Sequence, residues 1–162
     1  MTSFLYRAPS GVAGDVTRPD DTVIESGLLN AAAVPSAFGA PVKIVSGKFE
    51  KIAESDTAAV FYGILSRVAP SIAGDLTETF AGGTPNADAV QGIVVSGYVN
   101  VVCTIGTPER GGIVYMRVVA ATGKVVGDFE ATADGVNNVA LTGVVWGVDG
   151  KDASNITEIR IK

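Results

Sequence analysis

The sequence predicts an all-β protein, a single β-sandwich, jelly-roll or barrel-like domain carrying an extended N-terminal arm, and three observations support that expectation. The frequent apolar residues are Val and Ala, accompanied by 20 glycines, rather than the Leu, Glu and Lys typical of helical domains. Gly92 to Ile105 alternates with the period of a half-buried strand, with Ile93, Val95, Val99, Val101, Cys103 and Ile105 on one parity. Turn signals built from Gly, Pro and Asp recur at roughly ten-residue spacing and bound about eight or nine short strands.

Taken in order, Met1 to Ser46 sustains neither a strand nor a helix period, because Pro9, Gly11, Gly14, Pro19, Gly27, Pro35, Gly39 and Pro41 interrupt each apolar group. The segment is nonetheless too apolar for ordinary disorder. It is expected to be an arm, residues 1–46, that either drapes over the following β-domain, residues 47–162, or lies on another subunit. Asn30 to Val34 is its one helix-like moment, closed by Pro35. Pro41 to Ile52 reads as a hairpin turning at Ser46-Gly47, and Ala58 to Val68 as a nearly continuous apolar strand that is central in its sheet. Pro70 to Ala89 is a long loop by content, and loops of that length are usually functional or ordered against a partner.

The segment Gln91 to Ala120 reads as two long strands, Gly92 to Ile105 and Ile113 to Val119, paired as a hairpin across the loop from Gly106 to Gly112. Two further strand regions, Lys124 to Ala131 and Val136 to Val148, flank the turn at Asp134-Gly135. Asp149-Gly150 makes another turn, and Ile156 to Ile161 alternates as a last strand.

Composition narrows the chemistry. A chain of 162 residues buries roughly 70% of its unfolded surface without metals or disulfides. The formal net charge of -5 repels a phosphate backbone, so nucleic acid is not an expected partner. No apolar run approaches the ~20 residues that span a bilayer, so no membrane partner is expected, and the N-terminus is unlike a signal peptide. Synthesis in a cytoplasm is the expectation. The absence of histidine removes the commonest general base and zinc ligand, and the single Cys103 reads as a small buried hydrophobe.

No cofactor, metal site or catalytic residue is therefore expected. Of the carboxylate pairs, Asp128 with Glu130 and Asp20-Asp21 with Glu25 read as solvated surface, because nothing nearby supplies an apolar pocket. Asp149 and Asp152 read as a turn rather than a calcium loop. Trp146, between valines, reads as core or subunit interface rather than as a sugar platform. What remains is a binding or structural protein. A glycan-binding surface module, using exposed Tyr98, Tyr115 and Trp146, is the alternative.

The stretches Gly11 to Asp20, Val23 to Gly27, Ala37 to Lys43, Phe61 to Arg67, Gly97 to Val101, Gly111 to Arg117 and Thr157 to Ile161 resemble the structural cement proteins of tailed bacteriophages. The likeness covers nearly the whole chain and contains no catalytic motif. It implies a virion protein on the outer capsid surface that clamps neighbouring major capsid protein subunits. It also implies a homo-oligomer, most often a trimer, with a dimer as the other form. Phe4, Tyr6, Arg7, Arg18, Val23, Ile24, Leu28, Leu29 and Phe38 are the expected capsid or subunit contacts, because they supply the arm's apolar surface and its only arginines.

Overall fold

The computed structural model describes residues 11–67, 84–87 and 90–162. Among them the protein is all-β, with nine strands: β1 (Val23–Leu28), β2 (Pro41–Val45), β3 (Lys48–Lys51), β4 (Gly63–Leu65), β5 (Val90–Ile105), β6 (Ile113–Arg117), β7 (Phe129–Glu130), β8 (Asn138–Trp146) and β9 (Ile156–Ile161). Two single 3-10 turns, Pro19–Asp21 and Ala58–Val60, are the helical elements.

The 16-residue β5 is the strand on which both halves of the fold are built. Its C-terminal part pairs with β9 on one edge and, in parallel, with β7 on the other. Since β7 pairs β6, β6 pairs β8 and β8 pairs β9, the circuit closes into a barrel. The N-terminal part of β5 pairs with β4 and β1. From β4 the ladder continues through β2 to β3, and a parallel bridge from Leu29 to Phe49 returns it to the end of β1. The result is a smaller ring on the barrel's flank.

Gly97 makes this sharing possible. Its φ of +112° lies in the region glycine occupies without strain, and a Cβ there would collide with Thr22 and the Asp21 carbonyl. The kink reverses the parity of burial. Before it, Val94 faces the barrel core and Ile93 the flank core; after it, Val99, Val101 and Cys103 face the barrel. The single buried parity expected from Ile93 to Ile105 is thus two parities joined at a bulge.

The barrel core holds Val99, Val101, Cys103, Met116, Phe129, Leu141, Trp146 and Ile159, and Trp146 Nε1–H donates to the Ile113 carbonyl at 2.9 Å. The flank core holds Leu29, Phe38, Val42, Phe49, Leu65 and Ile93. The Ser46-Gly47 turn is as expected: both residues have positive φ, 52° and 78°, as a two-residue hairpin requires.

Other elements differ from the sequence reading. The expected hairpin of β5 with β6 does not form, because β7 is inserted between them. The seven-position loop from Gly106 to Gly112 is too long to force adjacency, and β7 brings an apolar Phe129 and a charged Glu130 whose partners lie on that seam. Of the strand expected over Ala58 to Val68, whose last residue lies outside the described residues, there is a 3-10 turn and then three strand residues, although β4 is central, between β2 and β5. Val23 to Leu28, in a segment read as without period, is a strand: five of its six residues are exposed, so no face alternates in hydropathy. Most of the Pro70 to Ala89 loop lies outside the described residues.

Candidate functional site

The densest cluster of charge lies at the seam between β6 and β7. Arg117 and Glu130 are both 0% exposed. Arg117 Nε donates to Glu130 Oε1 at 2.5 Å and Nη2 to Oε2 at 3.0 Å, the two-point geometry that suits a guanidinium and a carboxylate. Nη2 also donates to Asp134 at 2.6 Å, and Nη1 to the Val119 carbonyl at 3.2 Å. Asn138 donates to Glu130 Oε2 at 2.5 Å, and Lys124 to Asp134 at 2.9 Å.

Both Glu130 oxygens are thus engaged, and the cluster ties β6, β7 and β8 to the turn at Asp134. This corrects the expectation that Asp128 and Glu130 are both solvated. Residue spacing along β7 does not disclose that Arg117 and Asn138 arrive from other strands to neutralise a buried carboxylate. Hydrogen bonds from Arg117, and then from Lys124, hold the Asp134 carboxyl well below the usual range. Burial pushes the half-buried Asp128 up instead, while its Oδ2 accepts from the Val125 N–H at 3.0 Å.

Asp149 and Asp152 serve turns, as expected: Asp149 accepts from the Arg110 N–H, and Asp152 from those of Ser154 and Ile156, all at 2.8 Å. Among the described residues no three His, Cys, Asp or Glu side chains gather as a metal would need. Trp146 is buried, so it cannot join Tyr98 and Tyr115 in an exposed aromatic platform.

The expected contact residues divide. Phe4, Tyr6 and Arg7 lie outside the described residues. Arg18 turns back on its own domain: its guanidinium stacks 3.9 Å from the Tyr98 ring centroid and donates to Glu158 at 3.0 Å, beside Thr17 Oγ1, which donates to the same carboxylate. Leu29 and Phe38 are 2% and 7% exposed and fill the flank core, where each contributes about 2 kcal/mol of burial. They are not surface contacts, because the Leu29–Phe49 bridge and the turn before β2 fold them inward.

Val23, Ile24 and Leu28 remain outside, at 56%, 48% and 45% exposed, beside Val90 at 64%. Leu28 stands opposite Val90 in the ladder, so the two share a face, with Ile24 further along it. Asp20, Asp21 and Glu25 flank this apolar strip with exposed carboxylates. An unannounced feature is a groove of about 670 Å³ between flank and barrel, lined by Pro35, Phe38, Pro41, Ile52, Val102 and Val125 among others. Its walls come from segments far apart in sequence, so no local pattern could have disclosed it.

Comparison with known proteins supplies the class. The family model described as XM1 gp53 minor capsid protein matches residues 1–161. The chain belongs to that family.

The gp53 family is one of phage capsid proteins, which places this member in the virion as a structural component. Its fold is similar to that of a chain in the solved structure titled "The capsid of Myoviridae Phage XM1", with a TM-score of 0.70 at 15% identity over 99% of this chain and 95% of that one. At that identity the likeness is one of fold. No curated protein matches the sequence.

Proposed function

We propose that this gp53 family member is a cement protein: it binds the outer surface of the capsid and clamps neighbouring major capsid protein subunits, stabilising the shell without catalysing a reaction. The observation that carries the reading is the family match over residues 1–161. The net charge of -5 supports the outer surface, since an acidic protein is repelled by packaged DNA. The protein acts as a homo-oligomer, a trimer in preference to a dimer, so that several weak contacts bind together.

On this reading residues 1–46 divide their work. The described part from Gly11 anchors to the protein's own sheet through Leu29 and Phe38, while Val23, Ile24 and Leu28 face the shell or a neighbouring subunit. Phe4, Tyr6 and Arg7 extend the same contact. The test is to mix the purified protein with shells of its phage assembled without it, then sediment them. Co-sedimentation at a fixed ratio, with a raised temperature of shell disruption, is expected. Failure to co-sediment would overturn the proposal.

A further inference from the structure

Along Ile24 and Ser26 the outer edge of β1 is, among the described residues, an open strand edge, and its backbone direction follows from the ladder. Gly92 turns its carbonyl to the Ser66 N–H, on the β4 side. Alternation then turns Gln91 and Ile93 toward β1. Gly27 and Glu25 stand opposite those two residues, so their N–H and C=O groups face β5. Those of Ile24 and Ser26, between them, point away from the sheet. Among the described residues β3 meets this edge only past its C-terminal end, where the Asn30 N–H donates to the Phe49 carbonyl, and no strand pairs alongside Ile24 and Ser26. An unpaired edge beside exposed apolar side chains invites a further strand, and natural proteins commonly protect such edges with lysine or proline. Here Val23–Leu28 carries neither.

We propose that this edge receives an extended segment of the shell protein, one that alternates apolar and basic side chains and adds to the flank ring as a strand beside β1. The inference rests on the cement reading and names where and how the protein grips. Ile24, Leu28 and Val90 supply the apolar face on which alternate side chains of the incoming strand sit. The exposed Asp20 and Asp21, with Glu25, whose carboxylate also accepts from the Tyr62 hydroxyl, supply the charge that selects basic residues between the apolar ones. The same carboxylates disfavour a second copy of this chain as occupant, because pairing two β1 strands across a two-fold axis brings both acidic sets together.

The experiment compares the full chain with Ser26→Pro and Ile24→Lys in sedimentation with shells assembled without the protein. Melting temperature and light-scattering mass are measured alongside. Proline at position 26 removes an outward donor while leaving the hydrogen bonds to β5. Lysine at position 24 keeps the backbone and sets a cation in the apolar face on which the incoming side chains sit, so it serves if the proline variant does not fold. Each is expected to weaken shell binding roughly ten-fold or more, without loss of oligomer mass. Raising the salt concentration is expected to weaken binding of the unaltered protein.

Unaltered shell binding by folded variants would overturn the edge proposal and leave the cement reading standing. Loss of oligomer mass in the variants would assign the edge to a second copy and overturn it equally. Salt-independent binding would exclude the basic partner. A natural chain that does not bind shells would overturn the cement reading, and this inference with it.

Discussion

Strands β1 and β9 are each six residues long and each runs antiparallel to β5, yet β9 buries five of its residues and β1 none. A backbone ladder satisfies hydrogen bonds, but it does not by itself remove side chains from water. What buries β9 is its second neighbour, β8, and closure of the barrel behind it. Even its polar residues are absorbed: Thr157 donates to the Gly150 carbonyl at 2.8 Å, and Glu158 accepts from Thr17 and Arg18. Among the described residues no second strand runs along Ile24 and Ser26 beside β1, and its apolar side chains remain exposed. The barrel side therefore shields its side chains from water, and the β1 side leaves them at the surface.

The comparison breaks most severely at the barrel's buried charge. Replacing Glu130 with Gln takes from the buried Arg117 guanidinium its one fully buried counter-ion, leaving it the part-exposed Asp134, and the expected loss is about 3–5 kcal/mol in urea unfolding. Acid acts on the same cluster through Asp134. Its folded-state pKa lies below its unfolded value, so its contribution is complete above the ordinary carboxylate range. That contribution is lost as pH falls below about 5 toward the lower folded value. Unfolding free energy measured against pH should decline across that window, and Asp134→Asn should flatten the decline.

The comparison sharpens with matched truncations on the two strands. Ile159→Ala in β9 empties a fully buried site and is expected to cost about 2–5 kcal/mol. Ile24→Ala in β1 is expected to stay within about 0.5 kcal/mol. Comparable losses at both sites would mean that β1 belongs to the stabilising core. A small effect is likewise expected at Arg18→Ala. Its pairing with Glu158 is part-exposed, so a loss below about 1 kcal/mol is expected by the same measurement.

Sequence alone determined what depends on neighbouring residues. The Ser46-Gly47 turn, the alternation of Ile156 to Ile161 and the β class all follow from local backbone preference and side-chain period. The pattern of the whole chain was likewise enough to suggest the phage cement family. Tertiary structure decided the remainder. The strand region expected from Lys124 to Ala131 contracts to the two-residue β7, whose place between two strands that looked like a hairpin no local period could give. Gly97 reverses the buried face of β5 because Thr22 and Asp21, some seventy-five positions earlier, press against it; the Thr22 hydroxyl accepts from the Tyr98 N–H over a separation of 76 positions. Glu130 reads as solvated until Arg117 arrives from another strand, and Val23–Leu28 reads as irregular because neither of its faces is buried. Periodicity records which side of a segment is shielded from water. Which strand does the shielding, and which edge is left open, depends on hydrogen bonds and packing between residues distant in the chain.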